Sequence, residues 1–122
     1  MLVVDDDEGI RENVAELLEA QDYGVVSAKD AAEALEILGS EPVDLLLTDF
    51  QMPGANGVEL IEAARKTREA LPAILMTGYL SVYEQLDAER KKRVTLLRKP
   101  FDPDDILRLV DEGLAQAGPA GA

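Results

Sequence analysis

Four short stretches hold the residues able to do chemistry: Asp5-Asp6-Asp7, Asp49, Thr77 and Arg98-Lys99-Pro100. Each comes directly after an apolar run. The chain of 122 residues has no cysteine and no histidine. That excludes disulfides, thiol catalysis, zinc sites of Cys/His type and Ser-His or Cys-His nucleophile pairs. Carboxylates, hydroxyls, lysines and arginines remain. Taken singly, polar residues at the ends of apolar runs do no more than solubilise loops; the joint pattern is what points to a site. Carboxylates gathered at one edge repel one another, and the cost falls when one protonates or a divalent cation binds. Magnesium suits such a place, because it takes hard oxygen ligands, needs only one or two carboxylates and keeps waters for a phosphoryl group. The residues therefore suggest a metal site beside a potential nucleophile.

The elements that must position these residues can be read in order. Leu2 to Val4 is short, apolar and β-branched, and reads as a strand. Ile10, Val14, Leu17 and Leu18 then fall at helical spacing, with Arg11, Glu12, Glu16 and Glu19 on the other face and an end near Gly24. Val25-Val26 gives a second strand. Asp30-Ala31-Ala32-Glu33 has the form of a capping box opening a second helix, which stops around Gly39. Val43 to Thr48 is a third strand, and its lack of alternation fits cover on both faces. Val58, Leu60, Ile61 and Ala64 mark a third helix, and Ala73 to Met76 a fourth strand. Ser81 to Arg93 carries only a thin apolar stripe, Val82 and Leu86, before Glu89-Arg90-Lys91-Lys92-Arg93, and is the weakest of the helices. The charges of Arg90 to Arg93 suit a solvated helix end. Val94 to Leu97 is a fifth strand, and Asp102 with Pro103 opens a last helix carrying Ile106, Leu107, Val110 and Leu114 inward. Five strands alternating with five helices predict an α/β fold, a parallel sheet with helices on both faces. In such sheets sites lie beyond the carboxyl ends of the strands, which is where the chemical residues fall.

Composition narrows the setting. The length fits one domain, and 47% hydrophobic with 30% charged residues is the balance of a soluble globular chain. No apolar run approaches the roughly 20 residues of a membrane span. Met1 leads straight into Leu2-Val3-Val4 without a basic region, so no signal peptide is read and a cytoplasmic location is the default. A net charge of -13 argues against direct nucleic-acid binding and favours basic partners or a bound cation. The expected organisation is one domain over residues 1–116, with a flexible tail at 117–122.

Val3-Val4-Asp5-Asp6-Asp7, Asp49-Phe50-Gln51-Met52-Pro53 followed by Gly54 and Gly57, Met76-Thr77-Gly78 and Lys99-Pro100-Phe101 together resemble the motifs of response regulator receiver domains of two-component signalling. The match runs over nearly the whole chain, in order. The resemblance implies a flavodoxin-like doubly wound sheet with strand order 2-1-3-4-5. It implies that Asp49 takes a phosphoryl group from a phosphohistidine, forming an aspartyl phosphate. Asp6 would bind Mg2+ (or Mn2+) directly, Asp5 mainly through a water, and Gln51 through its backbone carbonyl. Thr77 would hydrogen-bond the acquired phosphoryl oxygen, Lys99 would pair with Asp49 or the phosphoryl group, and Lys99-Pro100 would be cis. Implied partners are a histidine kinase or histidine phosphotransfer protein and an output domain or effector, with the chain standing alone or belonging to a hybrid kinase or longer regulator. Such a domain assists its own phosphorylation without being a turnover enzyme.

The same resemblance implies a switch in which the Thr77 position moves and the face made by Ser81–Arg93, the fifth strand and the last helix repacks, also serving as a homodimer surface. An aromatic of the fifth strand often swings inward there, but this chain has Leu96. The expected switch is therefore a displacement of the loop and of Ser81–Arg93 without an aromatic rotamer. Tyr79, beside the phosphoryl position, is bulky enough to exclude attacking water, which predicts a long-lived phosphate. Two other classes compete. A haloacid-dehalogenase-like phosphohydrolase also has an aspartate after a strand, but places a second Asp two positions on, where Gln51 stands here. A degenerate, phosphate-independent module would be expected to lack acceptor residues that this chain has.

Overall fold

The structure is a computed structural model that describes residues 1–78 and 94–117. The predicted helix Ser81–Arg93, the residue Tyr79, the cluster Arg90–Arg93 and the tail at 118–122 lie outside the described residues. The elements are β1 (Leu2–Val4), α1 (Glu8–Glu19), β2 (Val26–Ala28), α2 (Ala31–Ser40), β3 (Leu46–Asp49), α3 (Gly57–Arg65), β4 (Ala73–Thr77), β5 (Thr95–Arg98) and α4 (Pro103–Ala117). The five strands form one parallel sheet in the order β2-β1-β3-β4-β5, as the resemblance implied.

Successive strand residues point to opposite faces, and both faces are apolar, so the sheet separates two cores. Leu2, Val4, Leu46, Ala73 and Leu75 face a core completed by Ala34 and Leu38 of α2 and by Leu60, Ile61 and Ala64 of α3. Val3, Leu47, Ile74, Met76 and Leu97 face the other, completed by Val14 and Leu18 of α1 and by Ile106 and Val110 of α4. Among the described residues, no helix is long and apolar enough to cross a membrane.

The boundaries differ from the sequence reading in physically instructive ways. β2 begins at Val26 and runs on through Ser27 and Ala28, small residues that pair with Val3 and Val4 but carry little hydrophobic signal. β3 begins at Leu46, three residues later than Val43. Val43 is instead part of the connection from α2, and its carbonyl accepts from Arg68 Nη1 at 3.0 Å. β4 and β5 each extend one residue further, to Thr77 and Arg98, which pair in register. α4 runs to Ala117. The Asp30 cap is as predicted, its side chain accepting from Glu33 N–H at 2.9 Å.

One guanidinium closes the end of α2. Arg68, just past α3, donates to the carbonyls of Leu38 at 2.7 Å and Glu41 at 2.8 Å as well as to Val43. It thereby satisfies carbonyls that a helix end leaves without intrahelical donors. Charge-assisted bonds of this kind each outweigh a neutral bond. Arg68→Ala is expected to lower unfolding stability by about 1–3 kcal/mol in urea titration, with Arg68→Lys intermediate. A loss within a few tenths of wild type would show that water replaces the guanidinium at no cost.

Candidate functional site

The carboxyl ends of β1, β3, β4 and β5 meet at one edge, and each brings one of the predicted residues. Asp5 follows β1 and is fully buried; Asp49 closes β3 at 8% exposure; Thr77 closes β4 and is buried. Lys99 follows β5, where its backbone N–H donates to the Thr77 carbonyl at 2.9 Å. Its side chain then turns between two acids. Lys99 Nζ lies 3.0 Å from Asp49 Oδ1 and 3.2 Å from Asp5 Oδ2. The Lys99-Pro100 peptide is cis.

Asp6 joins this group from the solvent side. Carboxylate oxygens of Asp5, Asp6 and Asp49 lie within 4.8 Å of one another, with Asp6 exposed and the other two buried. Asp7, the third acid of the run, is spent elsewhere: its side chain caps α1, accepting from Ile10 N–H at 3.1 Å. Gln51 is exposed and lines an open depression of about 450 Å3 together with Asp6, Phe50, Met52, Pro53 and Asn56.

The turn after Asp49 is fixed from several sides. Phe50 N–H donates to the Met76 carbonyl, continuing the pairing with β4, and Gly57 N–H donates back to Phe50. Thr48, fully buried, turns its hydroxyl to the Asp49 carbonyl at 3.0 Å. Gly54 has a positive φ of 82°, which favours glycine. A side chain at Gly57 would run into the Asp49 carbonyl and Leu75, so only glycine lets α3 start this close to the strand end. Asn56 caps α3 in a reciprocal box with Glu59, at 2.9 and 3.0 Å. The Asn56-Gly57-Val58-Glu59 pattern was readable as that box; the approach of Gly57 to Asp49 had no local signature.

Burial pushes the Asp49 carboxyl above the ordinary carboxylate range; the hydrogen bond from Lys99 pulls it down, and the neighbouring Asp5 and Asp6 charges push it up again. For Lys99, burial favours the neutral amine, but Asp49 and Asp5 outweigh it and hold the ammonium above its ordinary value. Three carboxylates therefore face one ammonium. The donor set is all hard oxygen, two of the three carboxylates are buried, and their mutual repulsion is visible at Asp49, so the residues fit a small divalent cation.

Residues 1–111 match the family model of the response regulator receiver domain. The chain belongs to the receiver domains of response regulators. It is 32% identical over 120 residues to the transcriptional regulatory protein GlrR of Escherichia coli, covering 98% of this chain and 27% of that protein. Against the response regulator MprA of Mycobacterium bovis it is 33% identical over 122 residues, covering all of this chain and 53% of that protein. Among solved structures, the receiver domain of NtrX from Brucella abortus superposes with a TM-score of 0.84 at 27% identity, over 93% of this chain and 97% of that one. The chemotaxis response regulator CheY4 of Vibrio cholerae gives 0.83 at 29% identity, over 93% and 96%. The receiver chain thus spans about a quarter to a half of the curated relatives named here.

The raised Asp49 carboxyl has a thermodynamic consequence. A group whose folded value is raised binds its proton more tightly in the folded state, so its contribution to stability is present at low pH and lost as pH rises through that value. In metal-free buffer, Asp49→Asn is therefore expected to stabilise the receiver at neutral pH, with the gain shrinking as pH falls toward the ordinary carboxylate range. Thermal denaturation in EDTA at several pH values measures this; an Asn variant less stable than wild type at pH 7 would contradict it.

Proposed function

We propose that Asp49 is the phosphoacceptor and that the receiver takes its phosphoryl group from a phosphohistidine on a histidine kinase or histidine phosphotransfer protein. The observation that carries this reading is the placement of Asp49: a mostly buried carboxylate at a strand end, 3.0 Å from an ammonium and grouped with two further carboxylates. An Asp49 carboxylate oxygen attacks phosphorus, the bond to the imidazole nitrogen breaks, and the leaving imidazole keeps the electron pair. Lys99 would neutralise charge on the phosphoryl oxygens, and the Thr77 hydroxyl would hydrogen-bond one of them once the group is attached.

Asp6, Asp49 and the Gln51 carbonyl would hold Mg2+ or Mn2+ directly, with Asp5 acting mainly through a water. The carboxylates themselves support this division. Both oxygens of Asp5 are engaged, by Asp7 N–H and by Lys99, whereas Asp6 faces solvent. When bound, the cation supplies neutralisation of the equatorial phosphoryl oxygens. The domain, taken as residues 1–116, promotes its own phosphorylation and does not turn over an external substrate. It works in the cytoplasm and passes the signal to an output domain or effector, with no direct nucleic-acid contact by this domain. Homodimerisation would use the face of β5, α4 and the Ser81–Arg93 segment.

A runner-up reading, a phosphate-independent interaction module, draws only on Leu96. That residue sits half-buried in β5, paired with Leu75, where an aromatic would otherwise couple to Thr77. We assign the outward signal instead to movement of the loop after β4 and of the Ser81–Arg93 segment.

Incubation with acetyl phosphate and Mg2+ is expected to add one phosphoryl mass to wild type and none to Asp49→Asn. Beryllofluoride with Mg2+ should raise the thermal stability of wild type alone, because binding to the folded state stabilises it by mass action. Wild type gaining neither phosphate nor stability overturns the acceptor reading. Under the same beryllofluoride conditions, amide resonances of Ser81–Arg93 should shift; unchanged spectra there and in β5 would remove the proposed switch while leaving the acceptor intact.

A further inference from the structure

The turn between β1 and α1 carries both Asp5 and Asp6, yet it holds them by different means. Asp5 is fixed through its own carboxylate: Oδ1 accepts from Asp7 N–H at 2.9 Å and Oδ2 from Lys99 at 3.2 Å. Among the described residues, no hydrogen bond or ion pair holds the Asp6 carboxylate. The backbone of the turn alone therefore sets where Asp6 points.

That backbone has one exposed weakness. The β1 pairing ends at Val4, and although Asp5 N–H still reaches the Ala28 carbonyl at 3.2 Å, no backbone N–H among the described residues reaches the Asp5 carbonyl. The Asp5 carbonyl belongs to a fully buried residue, where an unmatched acceptor is costly. Arg11 fills the gap. Its Nη1 donates to the Asp5 carbonyl at 2.8 Å while its backbone N–H donates to the Asp7 carbonyl at 2.9 Å. One residue of the first turns of α1 thus grips both ends of the three-residue turn, with Asp6 between the two anchored carbonyls.

We propose that Arg11 is a positioning residue for the cation site: through the Asp5 carbonyl it fixes the turn that aims the Asp6 carboxylate. This role rests on the metal reading of Asp5, Asp6 and Asp49 given above. Groups that orient metal ligands without touching the metal commonly change affinity by about 10–100-fold when removed. A guanidinium seated on the backbone carbonyl of Asp5 has a competing effect of opposite sign. As a positive charge it repels a cation, so its loss would by electrostatics alone tighten Mg2+ binding. The direction of the change separates the two.

The test is calorimetric titration of the unphosphorylated domain with Mg2+, alongside thermal denaturation in EDTA, for wild type, Arg11→Met and Arg11→Lys. Met keeps the apolar stem and removes the donor; Lys keeps the charge and one donor. Arg11→Met is expected to weaken Mg2+ binding about 10-fold, with Arg11→Lys returning within about 3-fold of wild type. Tighter or unchanged binding in Arg11→Met overturns the proposal, as does a loss of EDTA-state stability with Mg2+ affinity preserved. Should Arg11→Met fail to fold, Arg11→Lys decides: binding weakened as much as 10-fold there means that a donor at the Asp5 carbonyl is not what matters. Wild type that binds no Mg2+ would overturn the metal reading itself, and this role with it.

Discussion

An ammonium enclosed between two buried carboxylates is the interaction on which the site depends. Lys99 bridges Asp5 and Asp49 across sequence separations of 94 and 50 residues, so it ties together the ends of β1, β3 and β5. Burying an unpaired charge costs several kcal/mol, and the pair offsets that cost only when its geometry is good. Here the offset is incomplete by construction, because two buried acids and an exposed third face one base. The shortfall falls on Asp49, whose carboxyl burial pushes upward against the pull of Lys99. A site in this condition gains by anything that brings positive charge.

The sheet makes this arrangement possible by leaving polar groups nowhere else to go. Both faces of the strands are packed, one against α2 and α3 and the other against α1 and α4, so along the strands apolar residues dominate. Before the terminal Asp49, Thr48 is the polar residue of β3, and its hydroxyl is used on the Asp49 carbonyl. Charge can appear only where the strands stop, and parallel strands all stop at the same edge. The close start of α3, which Gly57 allows, then seats the turn against the Asp49 carbonyl, so Asp49 is held by packing.

What the sequence made legible were features with short-range causes. The strands read as apolar runs, the Asp30 cap and the Pro103 start followed from local chemistry, and the acids, Thr77 and Lys99 fell at strand ends in order. Ser27 and Ala28 were missed because small residues carry no hydrophobic signal, though register with β1 makes them a strand. Asp7 looked like a third site acid, and the structure uses it as a helix cap. The carbonyl contacts of Arg11 and Arg68 were invisible for a different reason. A guanidinium reaching a carbonyl depends on where the chain has folded, and neither residue has a motif of its own.

Charge also limits who can approach. With a net charge of -13, the domain repels small anionic phosphoryl donors at distances up to the Debye length, about 8 Å at physiological salt. A protein donor with a basic surface gains what a small donor loses, since long-range attraction raises encounter rates and falls with ionic strength. The site's own acids add to the barrier at short range, where Asp6 stands at the exposed side of the cluster beside the open depression. A cation at those acids lowers the repulsion at the last few ångströms, whereas the wider acidic surface still discriminates among donors. The two scales are separable: the local one depends on how well the β1–α1 turn presents Asp6, and the distant one on surface charge that no single side chain controls.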